Sequence, residues 1–327
     1  MADTGRMHIT ASPLLKFLGL RLLSSLVVLL GVLIVVFAIV HLVPGDPIRL
    51  ALGTRFSQSS YDALRAASGL DRPLVEQFFL YTGHALTGDL GVSFRSGQPV
   101  TGILLGRLPA TASLALFGIF VALVIALPAG IWSALHEGRL SDVIVRLTSQ
   151  VGVSIPDFWL GMLLITLFSV VLRVLPSSGY TPITEEPLSW LQHILLPGLT
   201  VGTVAGAIMT RYIRSAVIDV AGAGFVRTAA SKGLPRSIVT FRHILRNALV
   251  PVLTIAGIQL ATVLGGVVVV EVVFAWPGLG LLVYESVAAR DYPVIQGAIL
   301  LVAVMFLVVN FVVDILYALV DPRIRLA

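Results

Sequence analysis

The 327-residue chain is 57 % hydrophobic and only 12 % charged, and its formal net charge is +5. Soluble globular domains carry about 25 % charged residues, so this composition excludes a soluble protein and predicts that lipid surrounds much of the chain. The basic residues concentrate at the ends of apolar stretches, which favours orientation in a membrane over binding to nucleic acid. The sequence contains no cysteine, so disulfides, thiolate metal sites and cysteine nucleophiles are excluded.

The first apolar stretch begins after Arg21 and is about 20 residues long, which exceeds the apolar region of a signal peptide. It runs into residues 41–47 (HLVPGDP) without the small residues of a cleavage site. We therefore expect a first membrane helix that is retained in the protein.

Stretches of about 20 apolar residues recur along the chain and predict an all-α integral membrane protein with six transmembrane helices. The fourth stretch is short and contains Gly198, Gly202 and Gly206, which favours close packing between helices over contact with lipid. The six predicted spans are residues 22–42, 112–135, 151–172, 195–213, 249–270 and 294–316.

Basic residues are unequally distributed between alternate loops. The short loops on one side hold only Arg173 and Arg290. Because cytoplasmic loops carry the excess of Lys and Arg, this asymmetry predicts that both termini are cytoplasmic. The other side holds Arg6, Lys16, Arg21, Arg139, Arg146, Arg211, Arg214, Arg227, Lys232, Arg236, Arg242, Arg246, Arg323 and Arg325.

This topology divides the chain into five segments. The long outer segment contains helical patterns at 62–65 and 74–79, with Pro73 placed as an early helix residue. The segments are a cytoplasmic N-terminal segment at 1–21, the first span at 22–42, an extracytoplasmic segment at 43–111, a core at 112–320 with a cytoplasmic loop at 214–248, and a cytoplasmic tail at 321–327.

Sequence signatures of catalysis are absent. The chain contains no phosphate-binding Gly-x-x-x-x-Gly-Lys-[Ser/Thr], no His-Glu-x-x-His and no Gly-x-Ser-x-Gly. We therefore predict no catalytic, cofactor-binding or metal-binding residues in this chain. Three carboxylates lie in or beside the spans, where charge persists mainly for function. They mark a translocation path or form structural hydrogen bonds at helix ends: Asp157, Glu271 and Asp314.

Seven motifs occur in the order found in one family of transporters. With them the chain resembles the permease subunits of binding-protein-dependent ABC importers of the dipeptide, oligopeptide and nickel group, in particular the first (B-type) permease of a peptide importer. The motifs are residues 41–47 (HLVPGDP), 69–74 (GLDRPL), 88–93 (GDLGVS), 154–161 (SIPDFWLG), 225–234 (FVRTAASKGL), 274–280 (FAWPGLG) with 290–293 (RDYP), and 321–325 (DPRIR).

The resemblance implies a function and a set of partners. The chain would form half of a pore for di- or oligopeptides in the bacterial inner membrane. A second homologous permease would complete the pore, and two partner subunits would bind ATP and magnesium and hydrolyse the ATP. An extracytoplasmic substrate-binding protein would deliver the solute. Nickel or glutathione as the solute, and a stand-alone secondary transporter or channel, remain as alternatives.

The resemblance also implies that the cytoplasmic loop contains a coupling helix that docks on the ATPase, ended by Gly233 and Pro235. Two departures from the family pattern are Gly224-Phe225 and Ala230-Ser231, the second of which removes an arginine. A basic helix that binds anionic lipid is the alternative. The coupling residues would be Phe225, Val226, Arg227, Thr228, Ala229, Lys232 and Gly233.

On the outer side, four residues are candidates for docking the binding protein: Asp71, Arg72, Asp89 and Arg95. Asp71 and Asp89 could instead cap helices and turns. Candidate pore or gate residues are Asp157, Glu271, Trp276 and Pro277, with the last two forming a rigid constriction or an interfacial belt. Trp159 and Trp190 are expected as belt anchors, and bends are expected at Pro128, Pro156 and Gly265-Gly266.

Overall fold

The computed structural model describes residues 11–42, 46–53, 56–67 and 69–320. The predicted tail at 321–327, with its motif, lies outside the described residues, as do residues 1–10 and part of the motif at 41–47.

Within the described ranges the chain is helical, and the β-structure there is one isolated antiparallel bridge between Val92 and Pro99. Two π-helical segments, Ile165–Val171 and Val239–Leu245, extend α7 and α10. The helices are α1 (Ala11–Leu42), α2 (Pro47–Leu52), α3 (Gln58–Ala67), α4 (Leu74–Leu86), α5 (Val100–Leu135), α6 (Leu140–Ser154), α7 (Asp157–Leu164), α8 (Pro187–Ala221), α9 (Gly224–Ser231), α10 (Arg236–Ile238), α11 (Arg246–Gly266), α12 (Val268–Val273), α13 (Leu279–Ala289) and α14 (Tyr292–Val320).

The described chain provides up to six membrane spans, as predicted. Four are single helices, the fifth is the continuous helix of α10, its π-helical extension and α11, and the sixth is the bent pair formed by α6 and α7 with its π-helical extension. The fourth predicted span is not short, because α8 extends over 35 residues. Its polar residues interrupted the apolar pattern, yet α8 is the most buried of the five unbroken spans. Thr200 and Thr210 donate to carbonyls of α8 itself, and Arg214 pairs with Asp142.

The third span is broken rather than gently kinked. Ile155 and Pro156 adopt extended backbone conformations, and α6 and α7 meet at an angle of 99°. Proline lacks the amide that would continue the helix and forces the preceding residue out of the helical region. The bend predicted at Pro156 is therefore confirmed, and its size exceeds a kink.

Helices α5 and α8 form the most extensive helix–helix contact among the described residues. A Cβ atom added at Gly202 would lie 2.5 Å from Cβ of Val121 and 2.8 Å from the carbonyl oxygen of Gly118. Gly198 likewise leaves no room for a side chain beside Phe117. The prediction that these glycines allow close helix packing is confirmed.

Specific contacts define two opposite ends of the bundle. At one end, Arg21 near the start of α1 forms an ion pair of 2.9 Å with Asp314 near the end of α14. We call this the α9 end, because α8 leads into α9 there. At the other end, Ser93 donates a hydrogen bond to Asp291 in the turn before α14. We call this the α4 end, because α4 lies beside the last turns of α1.

Candidate functional site

Helix α9 lies on the surface of the α9 end and buries one of its faces. Val226 and Ala229, three residues apart, are buried in the main hydrophobic cluster with Val239 and Ile244 of the segment that follows. Phe225, one turn before Ala229, lies at the edge of this buried face and is 49 % exposed. The buried face fixes the position of α9, while the exposed face is available for contact.

The end of α9 is set by local sequence. The amide of Lys232 donates to the carbonyl of Thr228 (3.2 Å), and that of Gly233 donates to Ala230 (3.0 Å). Gly233 has φ +75°, a left-handed conformation that glycine adopts without steric cost. Pro235 then precedes α10. The predicted helix stop at Gly233 and Pro235 is therefore confirmed.

The exposed face of α9 continues into the next turns as a surface that is both apolar and basic. Phe241 is 71 % exposed, and residues 224–246 contain no aspartate or glutamate. A surface of this composition suits a groove with an apolar floor and an acidic rim. We call it the α9 surface and define it by Phe225, Arg227, Lys232, Leu234, Arg236, Ile238, Phe241 and Arg242, all of which are exposed.

A buried ion pair joins α6 to the last part of α8, the helix that leads into α9. Arg214, near the end of α8, donates from Nε to Oδ1 of Asp142 (2.7 Å) and from Nη2 to Oδ2 (3.0 Å). The same carboxylate accepts from the Ser133 hydroxyl (2.6 Å) and the Gly138 amide (3.0 Å). These contacts join the α5–α6 turn, α6 and α8 into one unit. Sequence reasoning did not identify Asp142 as part of an ion pair, because its partner Arg214 lies 72 residues further along the chain.

Glu271 organises the turn before α13 at the α4 end. Its side chain is fully buried and accepts from the hydroxyl of Thr111 (2.7 Å) and from the amides of Gly280 (2.7 Å) and Leu281 (3.1 Å). Thr111 in turn accepts from the amide of Leu279 (2.8 Å). The two side chains thus satisfy the first amides of α13. Of the two alternatives for Glu271, the structural hydrogen bond at a helix end is the one these contacts confirm.

Trp276 and Pro277 belong to the same turn. Trp276 is fully buried, donates from Nε1 to the carbonyl of Ala110 (2.9 Å) and packs edge-on against Tyr180 with ring centroids 4.8 Å apart. The interfacial-belt interpretation of Trp276 is therefore wrong, because its indole nitrogen is satisfied inside the protein. The turn packs closely on Glu271, since a side chain at Gly278 would collide with the Glu271 carboxylate.

The other carboxylates of the spans have different surroundings. Asp157 is half-buried at the start of α7, directly after the break. Asp314 is bound by Arg21. Among the described residues, no group of three or more His, Cys, Asp or Glu side chains could hold a metal ion.

The four candidate docking residues are all exposed at the α4 end. Arg72 pairs with Glu76 (2.7 Å), while Asp89 accepts from the Gly91 amide (3.0 Å), which confirms the turn-capping alternative for Asp89. Pro73 occupies the cap of α4, and within the described residues no hydrogen bond shows Asp71 capping it. Arg95 lies in the exposed part of the turn that follows Phe94.

The outer segment is held to the bundle by residues to which sequence reasoning gave no role. Asp291 is buried and accepts from the Ser93 hydroxyl (2.5 Å) and the Phe94 amide (3.1 Å). Asp46 caps α2 through the amide of Ile48 and accepts from Tyr61. Burial raises the pKa of Asp46, but these hydrogen bonds outweigh it and hold the pKa below its usual value.

Solved structures with the same fold are ABC transporters. The MetNI methionine ABC transporter in an inward facing conformation superposes with a TM-score of 0.55 and 18 % identity, over 67 % of this chain and 96 % of that chain. An amino acid ABC transporter crystallised with histidines superposes with a TM-score of 0.50 and 15 % identity, over 66 % of this chain and 94 % of that chain. The fold is therefore that of an ABC transporter permease subunit.

The family follows from the sequence itself. Residues 126–326 match the binding-protein-dependent transport system inner membrane component, and residues 14–115 match the N-terminal region of such membrane components. The chain belongs to this family. It is a multi-pass inner membrane permease component of a binding-protein-dependent transport system.

Curated relatives align over nearly the whole chain. The glutathione transport system permease protein GsiC of Escherichia coli O6:H1 (strain CFT073) is 42 % identical over 312 residues, 95 % of this chain and 99 % of that protein. The di/tripeptide transport system permease protein DppB of Pseudomonas aeruginosa (strain UCBPP-PA14) is 40 % identical over 334 residues, with the same coverage. This membership favours the permease interpretation over a self-sufficient transporter or channel.

Proposed function

We propose that this chain forms half of the translocation path of an ATP-driven importer of short peptides, and that the α9 surface docks on an ATP-hydrolysing subunit. The observation that carries the docking proposal is the composition of the α9 surface. It is apolar and basic without an acidic residue, and it is displayed on a helix whose other face is anchored in the core.

The chemistry of the α9 surface favours a protein groove over lipid as its partner. An exposed aromatic side chain such as Phe225 or Phe241 is a typical anchor for a pocket on a partner. The surrounding cations add attraction to an acidic rim. The distribution of basic residues favours a cytoplasmic location for the α9 end. The α9 surface is then exposed to the cytoplasm, where ATP is available.

The remaining partners follow from the same proposal. A second homologous permease completes the path, and two ATP-binding subunits carry ATP and magnesium. The extracytoplasmic binding protein docks on the α4 end, where Asp71, Arg72, Asp89 and Arg95 are exposed to provide polar contacts. The Asp142–Arg214 pair supports transmission, because it joins α6 to α8, the helix that leads into α9.

For the solute, we propose a molecule of two or three residues. The relatives are named for glutathione and for di- and tripeptides. Glutathione is itself built from three amino acids, so both names describe small zwitterionic molecules of similar size. Transport of this class would require that the solute-loaded binding protein prefers one conformation of the transporter.

The experiment is uptake in a strain that lacks its own peptide importers, with labelled dialanine and labelled glutathione as probes. We expect Phe225→Ala to abolish uptake of the transported probe at normal membrane expression. Phe120→Ala is the matched control, since Phe120 is 60 % exposed on α5, away from the α9 surface. Equal uptake by Phe225→Ala and the control would contradict docking through this surface. Uptake of neither probe by the unaltered complex would contradict the proposed solute class.

A further inference from the structure

A cavity of about 370 Å³ lies between α1, the end of α13 and the start of α14. Five aliphatic side chains line it, including Val36 and Ile39 of α1, together with Tyr292, Gln296 and Arg290. Its volume falls within the range of roughly 300–1,000 Å³ that is typical of small-molecule sites. The aliphatic side chains form a slot that fits a hydrocarbon chain, and Arg290 places a cation beside this slot.

This cavity lies at the boundary of the membrane. The apolar span of α1 ends at Ile39, and the apolar span of α14 begins at Tyr292. Both residues line the cavity. The aliphatic side chains therefore lie at the level of the lipid acyl chains. Arg290, which precedes the α14 span, lies at the level of the lipid headgroups.

Arg290 occupies a backbone position where glycine is the usual residue. It follows the last residue of α13 with φ +54°, and the amide of the next residue donates to Ser286 (2.9 Å). This is the helix-ending motif in which a left-handed glycine is favoured. This position therefore carries a long cationic side chain beside the cavity instead of the usual glycine.

The charge of this side chain is not neutralised within the described part of the chain. Arg290 forms no ion pair with any described carboxylate. The adjacent Asp291 instead accepts hydrogen bonds from Ser93 and Phe94. No acidic side chain lines the cavity.

We propose that this cavity binds an anionic phospholipid, with its phosphate on Arg290 and part of one acyl chain in the aliphatic slot. A guanidinium binds phosphate through two parallel hydrogen bonds. A headgroup with a free ammonium would find no carboxylate in the lining, so an anionic headgroup such as phosphatidylglycerol fits better than a zwitterionic one.

The bound lipid would connect α1 to the rest of the bundle. Helix α1 is mostly exposed, and beside this cavity its polar link to α14 is a long hydrogen bond from Gln296 to the carbonyl of Val36 (3.4 Å). A phospholipid that fills the slot would extend the apolar contact between the two helices. This inference does not depend on the identity of the transported solute.

The test is native mass spectrometry of the intact transporter, released from nanodiscs that contain equal amounts of phosphatidylglycerol and phosphatidylethanolamine. We expect retained phosphatidylglycerol, and a decrease of about tenfold in its occupancy for Arg290→Gln, because a charge-assisted pair is lost. Arg290→Lys should retain part of the occupancy. Ile39→Trp, which fills the slot, should reduce it while leaving the cation in place.

Arg173→Gln is the matched control. Arg173 is also exposed, also has φ +54° and follows the apolar segment of α7, but it does not line the cavity. Unchanged lipid occupancy in Arg290→Gln, or an equal loss in Arg173→Gln, would overturn the proposal. So would loss of the second permease from the Arg290→Gln complex with its lipid content unchanged, because the residue would then serve a contact between subunits.

Discussion

The buried ion pair between Asp142 and Arg214 gives a sharp test of the proposed transmission unit. The Asp142 side chain is 1 % exposed and that of Arg214 is 20 % exposed. Asp142→Asn removes the negative charge with little change in volume. It leaves the guanidinium of Arg214 largely buried without its nearest counter-ion.

The magnitude follows from the contacts that are lost. Removing one partner of a buried pair costs about 3–5 kcal/mol. The asparagine oxygen can still accept one hydrogen bond, and Glu137 lies 3.8 Å from Arg214, so we expect the lower limit of about 3 kcal/mol. For a chain of this size that corresponds to a decrease in the melting temperature of about 4 °C.

The assay is thermal unfolding of the purified transporter, combined with the ratio of ATP hydrolysed to solute transported. Asp219→Asn is the control, because Asp219 is exposed near the end of the same helix. We expect a lower melting temperature and a higher hydrolysis-to-transport ratio for Asp142→Asn alone. A melting temperature equal to that of the control would refute the stabilising role. An unchanged ratio would refute the transmission role.

Three further predictions concern separate parts of the chain. Gly202→Ala should lower the melting temperature by several degrees, since its methyl group would lie 2.5 Å from Cβ of Val121; equal stability would show that α5 and α8 can separate at little cost. Gly233→Val should preserve membrane insertion but abolish coupled uptake, because a β-branched residue is strained at φ +75°; normal uptake at normal expression would exclude this role. Asp291→Asn should increase proteolysis of the outer segment by weakening its bond to Ser93, and unchanged digestion kinetics would show that other contacts suffice.

Local patterns in the sequence predicted the elements that depend on local physics. Apolar runs of membrane length identified the six spans, and Gly233 with Pro235 identified the end of α9, because each signal lies within one turn of its effect. Pro156 likewise identified the break in the third span. The angle of 99° was not predictable, since it depends on what α6 and α7 pack against.

The interactions between distant residues were not predictable in this way. Asp142 meets Arg214 across 72 residues, and Glu271 meets Thr111 across 160. Nothing in the sequence around either carboxylate identifies its partner. For the same reason Trp276 was taken as a possible belt residue, although its indole nitrogen bonds to Ala110 in the core. Burial of polar groups is set by the assembled bundle rather than by neighbouring residues.

The most direct test of the central claim is purification of the tagged chain from its native membrane in a mild detergent, followed by mass spectrometry and an ATPase assay of the purified material. The account predicts a second permease and ATP-binding subunits in the complex, with ATP hydrolysis that is lost in Phe225→Ala and retained in Phe120→Ala. A chain that purifies alone, or ATP hydrolysis that is unaffected by Phe225→Ala, would contradict the claim that this permease is driven through its α9 surface.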